Sequence, residues 1–243
     1  MSDSFAIEFY DRYWAYRYDR GDTVASNRMK LRHQQARAFI RKCFPVAEGV
    51  RVLDLGCGDG VMGQLLSPAG YAVTGVDVSH RALALAEPYY AGTQSFDLDS
   101  DATPEAWRGA FDAVVCMEVL EHIETPERNI ARCFDACKPG GVAAFSFPNL
   151  FSLQNRLTFL RGRWPKGYCT YDPREHLQVF ELKQFKRWVQ QAGFKQLSVA
   201  VTPQLPRSGP MRRLMFASRH VFNHVTPSLW AMQLSVFAHK PGG

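Results

Sequence analysis

Three glycines at alternate positions follow a short apolar run near residue 50. The run Val50–Leu55 has the composition of a buried parallel strand, and the stretch 61–66, after Gly56, Gly58 and Gly60, is apolar at helical spacing. Glycines let a backbone approach a ligand closely, and the start of a helix presents unpaired N–H groups. The stretch therefore predicts a strand, a glycine turn and a helix that bind a nucleotide-like cofactor.

Two kinds of cofactor fit this pattern. The stretch 58–63 matches the glycine spacing of a dinucleotide site, with Asp77 as the acid that would bind a ribose. The stretch 54–60 matches the shorter glycine pattern of sites for S-adenosylmethionine (SAM). Asp54 favours SAM, because a carboxylate at the strand end would repel a pyrophosphate but attract the ammonium and sulfonium of SAM.

Two segments carry a family resemblance. The stretch Asp54-Leu-Gly-Cys-Gly-Asp-Gly60 resembles motif I of the class I SAM-dependent methyltransferases. The stretch 114–123, Val-Val-Cys-Met-Glu-Val-Leu-Glu-His-Ile, resembles the same segment of the ubiquinone-biosynthesis O-methyltransferases and their small-molecule relatives. The matching motifs extend from Val50 to Phe147, a little under half of the chain. The resemblance implies a SAM-dependent enzyme with a Rossmann-like fold.

Acids at the ends of further strands complete the predicted cofactor site. Tyr71–Asp77 is a predicted strand, and the carboxylate of Asp77 offers two oxygens to the two hydroxyls of an adenosine ribose. A third predicted strand, 94–99, contains Asp97, which by resemblance accepts from the adenine amino group, with Asp99 as the alternative. The cofactor-binding set is therefore Asp54, Gly56, Cys57, Gly58, Asp77, Val78, Asp97, Leu98 and Met117.

Two carboxylates and an imidazole follow the fourth predicted strand, Phe111–Met117. They are Glu118, Glu121 and His122, at the edge where open α/β sheets bind ligands. In the small-RNA 3′-terminal 2′-O-methyltransferases a similar segment and a later histidine hold a divalent ion, and His176 is the matching histidine here. One hypothesis is thus a Mg²⁺ or Mn²⁺ site of these four residues, which would lower the pKa of an acceptor hydroxyl. In the alternative, Glu118 and Glu121 orient the cofactor loop and His122 acts as a base or packs. The predicted catalytic residues are His122 and Glu121.

Alternating strands and helices predict the architecture around these residues. We expect a seven-stranded mixed sheet of Rossmann-like methyltransferase type, with an antiparallel last strand at 229–239 and helices on both faces. Strand five is expected to begin at Val142, after a helix stop at 138–141. Residues 1–45 are predicted to form a helical cap that either lids the cofactor pocket or covers the sheet, and covering is the preferred interpretation. The domain then spans 46–243, with acceptor-side insertions at about 149–172 and 204–227.

Charge predicts the nature of the acceptor. The net charge is +6, and residues 182–243 contain nine Lys and Arg but no acid. This indicates an anionic partner: a small-molecule, glycan or lipid-linked acceptor, with a phosphorylated, nucleotide-linked or lipid-linked glycan preferred and peripheral membrane contact as a further alternative. The other interpretation is a basic face that is only solvated. Nucleic acid ranks lower because the sequence shows no nucleic-acid-binding module. The arginines expected at the acceptor entrance are Arg156, Arg161, Arg163, Arg212, Arg213 and Arg219.

Cysteine spacing and the first residues predict the compartment. None of the six cysteines forms a CxxC pair, the first residues lack the pattern of a signal peptide, and no apolar run is long enough to span a membrane. The predicted location is cytoplasmic. The predicted function is SAM-dependent O-methylation; the alternatives are an NAD-dependent oxidoreductase and a SAM-binding partner protein without turnover.

Overall fold

The computed structural model describes residues 3–21, 30–165, 175–203 and 226–243. The helices are α1 Asp3–Asp19, α2 Leu31–Cys43, α3 Val61–Leu66, α4 His80–Ala86, α5 Pro126–Ala136, α6 Leu153–Leu160, α7 Leu182–Gln191 and α8 Pro227–Trp230. The strands are β1 Arg51–Leu55, β2 Ala72–Asp77, β3 Gly92–Ser95, β4 Phe111–Met117, β5 Cys137–Pro148, β6 Lys195–Pro203 and β7 Ala231–His239. Most of the predicted second insertion lies outside the described residues.

The strands form one sheet in the order β3-β2-β1-β4-β5-β7-β6. Strands β1 to β5 run parallel, and β7 pairs antiparallel with both β5 and β6. The predicted seven-stranded mixed sheet with an antiparallel last strand is confirmed. Strand order reverses at β1, which lies between β2 and β4, and ligands of open α/β sheets bind at the carboxyl ends of strands beside such a reversal.

Helices cover the two faces of the sheet and produce two apolar clusters. One cluster joins α5 and α7 to the sheet, with Ile130 and Phe185 fully buried. The other joins α2 and α3 to the opposite face through Ile40 and Leu66. In α2 the buried residues recur at helical spacing because one face of the helix lies on the sheet. The expectation that the N-terminal segment covers the sheet thus holds for α2.

Three predicted boundaries differ from the structure. Strand β5 begins at Cys137 rather than Val142, because Cys137 already pairs with Phe111 across an irregularity in the ladder. Strand β7 begins at Ala231, after a helical turn that a proline starts at residue 227. Strand β3 ends at Ser95, so Asp97 and Asp99 lie in the loop that follows it.

Candidate functional site

A cavity of about 420 Å³ opens at the carboxyl ends of β1, β2 and β4. This volume is typical of a small-molecule site. Every residue that the sequence assigned to the cofactor, to catalysis or to a metal lines it. They are Asp54, Gly56, Cys57, Gly58, Asp77, Val78, Asp97, Leu98, Met117, Glu118, Glu121, His122 and His176. Their contact with a cofactor or an ion stays a prediction.

The glycine turn after β1 is built for close approach. Gly56 and Gly58 have φ values of 69° and 53°, which favour glycine. A Cβ atom on Gly56 would lie 2.4 Å from Val119, and one on Gly58 would lie 2.6 Å from Trp14. The side chains of Val119 and Trp14 therefore leave no room for a Cβ atom, and both positions require glycine.

Asp77, at the end of β2, fixes the glycine turn. Its Oδ2 accepts from the backbone N–H of Gly58 and its Oδ1 from that of Ser79, both at 2.9 Å. Burial nevertheless raises the pKa of Asp77 to about 6, with these backbone hydrogen bonds opposing the rise. Each carboxylate oxygen keeps acceptor capacity for one hydroxyl of a ribose.

Asp54, at the end of β1, is held in place by a hydrogen bond from Tyr90. Its Oδ2 accepts from the Tyr90 hydroxyl at 2.5 Å. Burial raises the pKa of Asp54 to about 7, although the Tyr90 hydrogen bond opposes this rise. The carboxyl group can thus change its charge near neutral pH.

The two acids after β3 have different surroundings. The Asp99 carboxylate accepts from the backbone N–H groups of Glu124 and Thr125, just before α5. Among the described residues, Asp97 Oδ1 accepts a local hydrogen bond, from the backbone N–H of Asp99. These contacts favour Asp97 over Asp99 as the acid for an adenine amino group.

Glu118 stands apart from the other predicted metal ligands. It has a φ of 58°, unusual for a residue other than glycine, at the turn between β4 and the short helix Leu120–His122. Its carboxylate accepts from the Ser146 hydroxyl at 2.9 Å and from the Gln233 amide at 2.7 Å. Glu118 therefore anchors this turn to β5 and β7.

Glu121, His122 and His176 form a compact cluster, with one ligand atom of each within 4.8 Å of the others. Glu121 is 1% exposed, and neither of its carboxylate oxygens has a hydrogen-bond partner among the described residues. Burial, followed by the charge of Glu118, raises the pKa of Glu121 well above its usual value. A buried carboxylate without partners is costly, so this cluster fits a group that binds there.

The imidazole of His122 is held in one orientation. Its Nδ1 lies against the backbone carbonyl of Glu175, so Nδ1 donates and Nε2 keeps a free lone pair. Nε2 lies 3.7 Å from Glu121 Oε1. Burial, assisted by His176, lowers the pKa of His122 to about 3, so the ring is neutral at physiological pH.

Helix α1 forms a wall of the cavity, which corrects the expectation that this segment covers the sheet. Trp14 packs against Gly58, and the ring of Tyr10 meets that of His122 edge-on at 6.1 Å. The Asp11 carboxylate accepts from the Ser79 hydroxyl at 2.5 Å and so fastens α1 beside α4. The aromatic density of residues 5–20 was the available signal, but density alone does not show which surface a helix faces.

The arginines expected at the acceptor entrance do not line this cavity in the part of the chain that the structure describes. Arg156 lies on α6, and Arg161 and Arg163 follow that helix. Arg212, Arg213 and Arg219 lie outside the described residues. The basic residues that do line the cavity are Arg17, Lys30 and Arg32, which sequence reasoning missed.

A family model described as a methyltransferase domain matches residues 27–199. This segment includes the glycine turn, the strand-end acids and the Glu121–His122–His176 cluster. The chain belongs to this methyltransferase family. The predicted resemblance and enzyme class are confirmed, and the NAD-dependent alternative is not favoured.

Two curated relatives illustrate the similarity. The chain is 34% identical over 157 residues to the ubiquinone biosynthesis O-methyltransferase of Aromatoleum aromaticum, covering 60% of this chain and 64% of that protein. It is 32% identical over 170 residues to the protein of the same name from Thiobacillus denitrificans, covering 66% of this chain and 69% of that one. The chain thus matches about two thirds of the length of these relatives, and in the first case slightly less.

Solved structures show the same fold at low sequence identity. A SAM-dependent methyltransferase from Archaeoglobus fulgidus superposes with a TM-score of 0.61 at 18% identity, covering 95% of this chain and all of that one. Magnesium protoporphyrin IX methyltransferase from Synechocystis, solved with bound S-adenosylhomocysteine, gives 0.62 at 17% identity, covering 98% of this chain and 100% of that one. These likenesses establish the fold class.

Proposed function

We propose that this methyltransferase transfers the methyl group of SAM to a hydroxyl oxygen of a small molecule. One observation carries the proposal: the glycine turn and the Glu121–His122–His176 cluster open into the same cavity. A cofactor on the turn would thus present its methyl group to an acceptor beside the cluster. The relatives named as O-methyltransferases support oxygen as the methylated atom.

In the proposed complex three acids at or just after the ends of β1, β2 and β3 hold SAM. Asp77 accepts from the ribose hydroxyls, Asp97 accepts from the adenine amino group, and Asp54 attracts the ammonium group. The remaining contacts come from Gly56, Cys57, Gly58, Val78, Leu98 and Met117, which line the same cavity. The restricted turn fixes the cofactor, which lets the enzyme act mainly by positioning the acceptor in line with the methyl group.

The cluster removes the proton of the acceptor hydroxyl in this proposal. The raised pKa of Glu121 makes its carboxylate, in the ionised form, a stronger base than an ordinary glutamate, and Nε2 of the neutral His122 ring offers a second acceptor for the proton. Glu121, His122 and His176 also fit Mg²⁺ or Mn²⁺, because the Glu121 carboxylate accepts no hydrogen bond from the described residues and the imidazole of His122 is neutral. Such an ion, when bound, supplies a Lewis acid that lowers the pKa of the acceptor hydroxyl. Glu118, the fourth predicted ligand, orients the turn that carries Glu121 and His122.

The test separates cofactor binding from turnover. Glu121→Gln and His122→Ala are expected to reduce methyl transfer at least tenfold and leave the Kd of SAM nearly unchanged, because both residues serve the acceptor. Glu127→Gln, an exposed glutamate on α5, is the matched control. Calorimetry of SAM and NAD binding accompanies the assay. Tight NAD binding with no SAM binding would overturn the proposal.

The same assay decides the role of the metal. Chelation is expected to abolish activity, Mg²⁺ or Mn²⁺ to restore it, and His176→Ala to imitate the chelator. Full activity after exhaustive chelation would leave His122 and Glu121 as proton acceptors without an ion. SAM binding without turnover on any acceptor would instead support the partner-protein alternative, which gives no role to the unpaired Glu121 carboxylate.

A lipid-linked or glycan-linked anionic acceptor and peripheral membrane contact are further parts of the proposal. They are supported by the exposed Leu160 and Trp164, 83% and 59% exposed, which lie among the arginines of α6 and the segment after it. No helix among the described residues is long and apolar enough to cross a membrane.

A cytoplasmic location is supported by the free thiols of Cys43, Cys57, Cys116, Cys133 and Cys137. The division into a cap of residues 1–45 and a domain of residues 46–243 also stays a proposal.

A further inference from the structure

Two hydrogen bonds connect Arg32 to Glu118, at the turn before Glu121 and His122. They pass through Gln233, which is 201 residues from Arg32 in the sequence. Arg32 Nη1 donates to the side-chain oxygen of Gln233 on β7 at 3.0 Å. The amide nitrogen of Gln233 donates in turn to Oε2 of Glu118 at 2.7 Å. This connection places the guanidinium on the wall of the cavity that carries Glu118 and the following turn.

The guanidinium of Arg32 is not fully paired. Its Nε is buried and has no hydrogen-bond partner in the described part of the chain. The bond from Nη1 to Gln233 leaves the edge formed by Nε and Nη2, which is suited to a forked contact with a carboxylate. A buried N–H group without a partner is destabilising, and a ligand oxygen that reaches this edge after a small rotation of the guanidinium supplies the missing acceptor.

The carboxyl group of Glu121 lines the same cavity as Arg32. Burial raises the pKa of Glu121, and the charge of Arg32 opposes this rise, so the two groups are close enough to interact. The described residues nevertheless include no ion pair between them. The cavity thus holds the guanidinium of Arg32 apart from the carboxyl group of Glu121, as a site for an acceptor with one anionic group and one hydroxyl would require.

We propose that Arg32 binds a carboxylate of the methyl acceptor, so that the acceptor is a hydroxy acid whose carboxylate lies near the methylated hydroxyl. This inference rests on the function proposed above. The guanidinium holds the carboxylate, and the hydroxyl then reaches Glu121 and His122. Gln233 keeps the guanidinium in place and links its position to Glu118.

The carboxylates on the same wall favour a singly charged acceptor group. Glu118, Glu121 and Glu175 all line the cavity together with Arg32. A phosphate monoester, which carries nearly two negative charges at neutral pH, would meet more repulsion from these three groups than a carboxylate would. Arg32 is therefore better suited to a carboxylate than to a phosphate. The arginines that the structure describes on and just after α6 do not line this cavity, so they do not offset the repulsion.

The experiment measures how strongly the cavity prefers a negative charge. The probes are 4-fluorobenzoate and the neutral, isosteric 4-fluorobenzamide, titrated by fluorine NMR into the protein–S-adenosylhomocysteine complex with EDTA present to remove metal ions. The wild type is compared with Arg32→Gln, Arg32→Lys and Arg41→Gln. Arg41 is the matched control because it is an exposed arginine on the same helix, α2.

We expect the wild type and Arg41→Gln to bind the benzoate about tenfold more tightly than the benzamide. Arg32→Gln should remove this preference, and Arg32→Lys should keep only part of it because lysine retains the charge without the fork. An unchanged preference in Arg32→Gln overturns the inference, as does a wild type that shows no preference for the anion or binds neither probe. If Arg32→Gln does not fold, an unchanged preference in Arg32→Lys overturns it.

Calorimetry of S-adenosylhomocysteine, performed first, keeps the two proposals apart. Absence of cofactor binding by the wild type refutes the proposed function. Normal cofactor binding with no charge preference refutes only the role of Arg32.

Discussion

Asp77→Asn gives the sharpest test of the cofactor site, because both oxygens of this carboxylate already have defined partners. The backbone N–H groups of Gly58 and Ser79 donate to opposite oxygens. In the variant one oxygen becomes an NH₂ group, which donates and therefore faces another donor. The substitution removes the charge and disturbs one of the two contacts that shape the glycine turn.

The expected loss follows from the contacts. A hydrogen bond to a charged acceptor contributes about 1.5–3 kcal/mol, and the proposed ribose contact consists of two such bonds. Loss of about 3 kcal/mol would weaken SAM binding about 100-fold. The thermal midpoint should fall as well, because the new NH₂ group faces one of the two backbone N–H donors and leaves it without an acceptor.

Asp112→Asn is the matched control for this loss of stability. The Asp112 carboxylate accepts from the backbone N–H of Arg51 and from Lys138, near the start of β4 and away from the cavity. Its substitution should lower the thermal midpoint and leave the Kd of SAM unchanged, as calorimetry would show. A Kd for SAM in Asp77→Asn within about threefold of the wild-type value would refute the assigned role of Asp77.

Two further predictions concern the glycine turn and its acid. Gly58→Ala should abolish SAM binding in calorimetry, because the new Cβ would lie 2.6 Å from Trp14. Gly109→Ala is the control: Gly109 has a similar φ of 57°, but its new Cβ would have no atom within 4 Å, so this variant should lose stability and keep its SAM binding. Equal loss of SAM binding in both variants would contradict this reasoning. The pKa of Asp54 is raised to about 7, so this carboxyl group becomes charged as the pH rises from 6 to 8. The affinity for SAM, measured by calorimetry, should therefore increase about tenfold over this range. The contribution of the same carboxyl group to stability should decline as the pH rises through 7. Asp54→Asn should remove the trend in affinity, and an equally pH-dependent variant would exclude Asp54 as its source.

The meeting of the glycine turn and the strand-end acids in one cavity could be predicted from the sequence because the signals are local. Gly56 and Gly58 lie in a turn of a few residues, and Asp77 ends a strand whose apolar run is visible in the sequence. Parallel strands place such ends at one edge of a sheet. Glu121 and His122 followed from the same reasoning, since they come directly after β4.

The acceptor side could not be predicted in the same way, because its contacts join distant parts of the chain. Arg32 reaches Gln233, 201 residues away, and no periodicity in either segment indicates the pair. Trp14 was part of a visible aromatic cluster, but only packing decides that it lies on Gly58 and not on the sheet. The expected role of the α6 arginines rested on charge alone, which indicates a class of partner without locating it.

Strand β7 lies between β5 and β6 although it follows both in the sequence. Because the ribosome makes the chain from its amino end, β5 and β6 must emerge without the strand that will join them, each with an unpaired edge. Gln233 is on this late strand, so Glu118 receives its second donor only when β7 has been inserted. Completion of the cavity thus coincides with closure of the sheet, and until that moment β5 has one unpaired edge and β6 has no partner strand.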